Sequence, residues 1–324
     1  MKQVAARQAD YRCTLEKEGF LGSFYQGEQY ADRAIILVGG SGEGREFVEK
    51  RAEILSREGF SVLAVGYYLW KPLPKDTVAI PVDYVEYAVK WLQNDCPVEI
   101  HSIGMTGLSL GAAYTLVAAS LIPDISCAVS VSGFDFVVEG CKSMVIRQHR
   151  SYFTFHGEDV PYEPAEALSH LPATLKAWKK DPRYGSKAMN RFYYNECFKD
   201  RTEKSRIKVE NIHGDVLLMS PGYDDTWPSD KAFPRIMKIL DEKGFPYRHE
   251  YAVYEKGSHC LAMPEEQMVM IGSDEKIRKA LGKFITMEAE YPEECKQARK
   301  DSWARLVDFF RESMTKKTPQ KNVL

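Results

Sequence analysis

Gly107-Leu108-Ser109-Leu110-Gly111 is a G-x-S-x-G pentapeptide. It lies between an apolar run with strand character, Ile100 to Thr106, and a small-residue helical run, Ala112 to Ser120. A strand that turns sharply into a helix at such a serine strains its backbone and exposes its hydroxyl at the turn. Side chains two residues to either side would collide there, which accounts for Gly107 and Gly111. The serine also stands at a helix N-terminus, where the dipole and free N–H groups favour a developing oxyanion. Ser109 is therefore the candidate nucleophile for acyl transfer.

A serine hydroxyl is a weak nucleophile at neutral pH. It needs an imidazole to take its proton and a carboxylate to orient that imidazole. On a doubly wound sheet the acid and the histidine follow the serine in the chain. Gly222-Tyr-Asp-Asp-Thr-Trp-Pro228 comes just after a strand expected at 216–220, and Gly257-Ser-His259 follows one expected at 247–254. His259 is the expected base. His101 falls inside the elbow strand, His156 and His170 fall in an insertion, and His213 and His249 flank strands. Adjacent residues in a tight loop cannot both aim at one imidazole. Asp225, with G-x-x-D spacing from Gly222, is expected to be the acid, with Asp224 capping the loop or facing solvent; Asp135 is a third candidate.

Gly39-Gly-Ser-Gly-Glu-Gly44 ends the first buried strand. Glycines there let the backbone approach a substrate, and an N–H of Gly40 or Ser41 could join that of Leu110 as an oxyanion hole. A Walker loop is excluded because Arg45-Glu46 follow Gly44, and the dinucleotide spacing fails at Arg45 and at Phe47. Tyr67, Tyr68, Trp70 and Trp227 are candidate walls of an acyl pocket. Lys176, Lys179, Lys180 and Arg183 form a basic cluster that could meet anionic phosphates or simply face solvent.

The elements that must position these residues are legible. Residues 1–30 are expected to form short antiparallel edge strands. Ala34-Ile-Ile-Leu-Val-Gly-Gly40 reads as a buried parallel strand, Glu46 to Arg57 as a helix, and Ser61 to Gly66 as the next strand. Pro81 to Leu92 reads as an amphipathic helix with Pro81 in its first turn. Strands follow at the elbow and at Ile125–Ser132, and helices near Asp230–Glu242 and Asp301–Phe310. This β-α alternation predicts one α/β domain over 1–324, a doubly wound, mostly parallel sheet. The proline- and aromatic-rich stretch 135–212 breaks the rhythm and is expected to be an insertion of loops and short helices over the C-terminal edge of the sheet, where ligands bind.

With 324 residues, 44% hydrophobic content and a net charge of -2, the chain can bury a large core and carries no global field toward nucleic acid or anionic membrane. No run approaches the length of a membrane helix, and the N-terminal residues have no apolar signal segment. The seven cysteines (13, 96, 127, 141, 197, 260 and 295) are scattered, with no C-x-x-C pair. Neither a disulfide framework nor a zinc site is indicated, and a reducing cytoplasm is the expected compartment. No metal or cofactor is expected.

Several segments together resemble the acyl-CoA thioesterase / bile acid-CoA:amino acid N-acyltransferase family, in its C-terminal α/β-hydrolase domain. They are Gly39 to Gly44, Gly59 to Tyr68, Leu73-Pro74, Ile80 to Leu92, the elbow, Gly222 to Trp227, and Gly257-Ser-His259. The resemblance implies a Ser109, Asp225, His259 triad, an acyl-enzyme intermediate and a small-molecule substrate, an acyl-CoA or other acyl ester. Mammalian members carry a β-sandwich ahead of the hydrolase, whereas about thirty residues precede the first buried strand here. The amino-acid-conjugating members look to use cysteine as nucleophile. Serine at 109 favours water as acceptor, hence hydrolysis over amide synthesis. A carboxylesterase or peptidase of the same fold, an N-acyltransferase, and a ligand-binding hydrolase without activity are the competing readings.

Overall fold

The computed structural model describes residues 7–142, 146–165, 167–180, 189–273 and 285–315. Its centre is an eight-stranded sheet, numbered here β1 (Tyr11–Cys13), β2 (Leu21–Tyr25), β3 (Tyr30–Val38), β4 (Phe60–Gly66), β5 (Ser102–Leu108), β6 (Cys127–Val131), β7 (Asp215–Pro221) and β8 (His249–Tyr254). Their spatial order is β1-β2-β4-β3-β5-β6-β7-β8. β1 pairs antiparallel with β2, and β2 antiparallel with β4; every other neighbouring pair is parallel. The expected antiparallel edge and doubly wound parallel body are both present.

Successive side chains of a strand point to opposite faces. Thus Ala34, Ile36 and Val38 of β3 join one core layer while Ile35 and Leu37 join the other. The first layer is covered by helices α2 (Asp83–Asn94) and α3 (Leu110–Leu121) and by the helix Ser229–Glu242, through Val85, Leu116 and Phe233 among others. The second is covered by α1 (Arg45–Ser56) and the C-terminal helix Pro292–Ser313, through Leu55, Leu306 and Phe310. With both faces covered, residues 34–38 of β3, and β4 and β5, need continuous apolar or small sequences, which is why they read so clearly.

Two expectations change. Pro81 does not open α2. Ile80–Pro81 instead forms a two-residue strand parallel to Phe153–Phe155, with the Ile80 N–H bonded to Tyr152 O, and the helix starts at Asp83. The stretch 135–212 also contains more than loops and helices. Glu139–Lys142 pairs with Ile146–Ser151, and Phe153–Phe155 pairs with Glu158–Asp159, ahead of helices Ala167–Trp178 and Met189–Cys197. These strands are too short and too polar to show period-two alternation. Glu139 organises them: its buried carboxylate accepts from Arg147 Nε (2.8 Å), the His149 N–H (2.9 Å) and the Ala165 N–H (3.0 Å).

Candidate active site

Because β3, β5, β6, β7 and β8 run parallel, their C-terminal ends share one edge of the sheet. That edge carries the Gly39–Gly44 turn, Ser109, the 222–228 loop and His259. Ser109 adopts φ 59 and ψ -119, a left-handed conformation that costs a non-glycine residue free energy and that the surroundings must enforce. They do so by close backbone approach. A Cβ on Gly107 would stand 2.3 Å from Gly111 O, and one on Gly111 would stand 2.4 Å from Gly39 O. The Ser109 N–H is fixed to Val131 O at 2.9 Å, and α3 begins at Leu110, so the Leu110 N–H belongs to the unsatisfied first turn of a helix.

His259 is buried and its Nδ1 meets the carboxylate of Asp224, at 2.9 Å from Oδ1 and 3.1 Å from Oδ2. This corrects the expected choice of Asp225. Asp224 turns inward because its own loop folds around it: Oδ1 accepts the N–H groups of Thr226 (3.0 Å) and Trp227 (3.1 Å), and Oδ2 accepts the Ser229 hydroxyl (2.5 Å). Asp225 points the other way. Its Oδ2 accepts the N–H (2.5 Å) and hydroxyl (2.9 Å) of Thr286, and its buried Oδ1 has no hydrogen-bond partner among the described residues. Asp135 is taken up by Arg235 at 2.6 and 2.9 Å.

Burial works against a charged His259. The charge and hydrogen bond of Asp224, with the charges of Asp225 and Glu43 behind them, outweigh it and raise the imidazole pKa above its ordinary value. Burial and the charge of Asp224 push Asp225 up to about 6, against the opposing Thr286 hydrogen bonds and His259.

The glycine turn departs from expectation at one atom. The Gly40 N–H donates to Glu43 Oε2 at 2.8 Å, and the Glu43 N–H returns to Gly40 O at 3.2 Å. Gly40 is therefore engaged inside the turn, and Ser41 remains as the candidate partner of Leu110. Tyr67 and Tyr68 hold this turn from below. Tyr67 OH donates to Gly39 O (2.7 Å), and Tyr68 OH accepts the Gly42 N–H (3.0 Å). Trp70 packs over Gly66, whose Cβ would fall 2.5 Å from the indole. Trp227 stacks on Tyr194 of the inserted region (centroids 4.7 Å) and meets Phe134 edge-on (4.8 Å). Lys176, Lys179 and Lys180 are exposed near the end of Ala167–Trp178, and Arg183 lies outside the described residues.

Sequence reasoning missed three contributors. Arg191, buried on Met189–Cys197, donates to Asp224 O at 2.6 Å and pairs with Asp230. Thr286 is sixty-one residues from the aspartate it binds, and no local pattern marks it. Glu43 stands three residues after Gly40, a spacing that reciprocal turn bonds use. Among the described residues no group of three or more His, Cys, Asp or Glu could hold a metal ion, and no helix is long and apolar enough to cross a membrane.

Residues 80–316 match the family model described as BAAT / Acyl-CoA thioester hydrolase C terminal. The chain belongs to this family. Within it, mouse acyl-coenzyme A thioesterase 1 is 26% identical over 97% of this chain and 66% of its own length. Human acyl-coenzyme A thioesterase 1 is 35% identical over 83% of this chain and 58% of its own. The chain thus spans about two thirds or less of these relatives. Among solved structures, an acylaminoacyl peptidase from Pyrococcus horikoshii aligns with TM-score 0.51 and 13% identity, covering 93% of this chain and 40% of that one. The 2,6-dihydroxy-pseudo-oxynicotine hydrolase aligns with TM-score 0.52 and 12% identity, covering 97% and 71%. These likenesses concern the fold, which is that of the α/β-hydrolases.

Proposed function

We propose that this BAAT / acyl-CoA thioester hydrolase family member is a serine acyl hydrolase acting on acyl-CoA thioesters. Ser109 Oγ attacks the thioester carbonyl while His259 Nε2 takes its proton. Nδ1–H remains on Asp224, which fixes the tautomer and stabilises the imidazolium. The N–H groups of Leu110 and Ser41 receive the oxyanion. Collapse expels the CoA thiolate, a better leaving group than an alkoxide, and the imidazolium gives its proton to that thiolate; neutral His259 then takes a proton from the water that attacks the acyl-enzyme and returns it to Ser109 Oγ as the acid leaves. The Trp227, Tyr194 and Phe134 cluster supplies the apolar wall nearest the acid loop.

The observation that carries this reading is the Asp224–His259 contact at the same sheet edge as the left-handed Ser109 elbow. The acyl-CoA substrate is supported by the names of the relatives. A cytoplasmic setting is supported by the free thiols of Cys13, Cys96, Cys127, Cys141, Cys260 and Cys295. The test is thiol release from acyl-CoAs of graded chain length by wild type and Ser109→Ala. Serine-dependent release establishes the chemistry and reads out chain preference. Turnover of p-nitrophenyl esters without CoA release replaces the thioesterase with an esterase or peptidase.

A further inference from the structure

Glu43 is more constrained than a turn residue needs to be. One carboxylate oxygen accepts the Gly40 N–H (2.8 Å) and the other meets Arg51 at 2.6 Å. Arg51 is itself buried, and its Nε donates to Gln267 Oε1 (2.8 Å), whose amide returns to Phe47 O (2.7 Å). The carboxylate is thus clamped between the glycine turn, α1 and the helix Glu265–Ser273. Gly40 separates it from the candidate nucleophile and borders both. A Cβ built on Gly40 would stand 3.7 Å from Glu43 Cδ and 3.4 Å from Ser109 Cβ.

We propose that Glu43 is a positioning residue for acyl transfer: anchored by Arg51, it takes the Gly40 N–H out of the oxyanion hole and sets the turn so that Ser41, with Leu110, faces the Ser109 adduct. This rests on the acyl-transfer reading above. The carboxylate has a second effect through space. Three acidic groups, Asp224, Asp225 and Glu43, act on His259, and the charge of Glu43 favours the protonated imidazole. Its neighbour Cys260 is a buried thiol whose own pKa lies well above the ordinary range, so it adds no charge.

Glu43→Gln keeps an amide oxygen for the Gly40 N–H but removes the charge. Glu43→Ala removes both. The variants are compared with wild type and Ser109→Ala in acyl-CoA hydrolysis across pH, with thermal melting as a check on folding. The acidic limb of kcat/KM reports protonation of the free-enzyme base, so Glu43→Gln moves it to lower pH. Glu43→Ala lowers kcat by on the order of 10- to 100-fold with KM near wild type, as a displaced oxyanion donor does. An unmoved limb in Glu43→Gln overturns the proposal, as does a Glu43→Ala effect confined to KM. Hydrolysis that survives Ser109→Ala overturns the acyl-enzyme reading instead, whatever the Glu43 variants do. If Glu43→Ala fails to fold, Glu43→Gln decides through its limb.

Discussion

His259 Nδ1 lies 2.9 and 3.1 Å from the two carboxylate oxygens of Asp224, while the neighbouring carboxylate of Asp225 faces away to Thr286. Two adjacent acids therefore perform separable tasks. Asp224→Asn places an amide where His259 needs an acceptor and favours the wrong tautomer. It is expected to lower kcat by on the order of 10³- to 10⁴-fold, the scale of that substitution in serine triads. Asp225→Asn is expected to lower it less than about 10-fold, because it leaves the Asp224 contact intact. Steady-state hydrolysis by the two single variants checks this, and a larger loss in Asp225→Asn would return the acid role to that residue.

Asp225 makes its own prediction through stability. Its folded-state pKa is raised from 3.8 to about 6, so the folded chain binds this proton more tightly than the unfolded chain does. Stability from this group is present below about pH 4 and is lost as pH rises toward 6, by about 3 kcal/mol at most. Asp225→Asn cannot ionise. Urea unfolding is expected to find the variant more stable than wild type at pH 7.5 and close to it, or less stable, at pH 4. An equal difference at both values would mean that Asp225 does not titrate in this window.

The sheet, the elbow and the gathering of Ser109, the 222–228 loop and His259 at one sheet edge were readable because each has a local cause. Residues 34–38 of β3, together with β4 and β5, are unbroken apolar or small-residue runs since helices cover both faces, and the elbow glycines meet backbone on contact. The acid was not readable. Spacing from Gly222 favoured Asp225, but the choice is made by the loop closing its N–H groups of Thr226 and Trp227 onto Asp224 and by Thr286 claiming Asp225 from far along the chain. Pro81 likewise satisfies a local rule for helix starts, and pairing with Phe153–Phe155 overrides it. Long-range partners decide these positions, and a local pattern holds no record of them.

Gly40 tests how tightly the turn abuts the nucleophile. An added Cβ would meet Leu108 O at 3.0 Å, tight enough to push the turn by a few tenths of an ångström, and Ser109 Cβ at 3.4 Å, so the shift is small for the fold but falls beside Ser109. Gly40→Ala is expected to keep a cooperative unfolding transition while kcat falls by about 10-fold or more. Gly111→Ala, with its Cβ 2.4 Å from Gly39 O, is expected to lose soluble folded protein altogether. Melting curves and kcat measured side by side decide it: normal turnover in Gly40→Ala would show that the turn and Ser109 move apart freely.

Arg191 links the inserted region to the acid loop. Its guanidinium donates to Asp224 O (2.6 Å), forks onto Asp230 and lies 4.4 Å over the Tyr223 ring. Both charged groups are nearly inaccessible, with side chains 7% exposed. Arg191→Met strands Asp230 and is expected to cost about 3–5 kcal/mol, the range for breaking a buried pair. A second substitution separates packing from positioning. Asp230→Leu in the Arg191→Met background removes the stranded charge and is expected to restore much of the stability. It cannot restore the bond to Asp224 O, so kcat stays low. If kcat returned together with stability, Arg191 would be a structural residue only, and the inserted helix would have no hold on the geometry of His259.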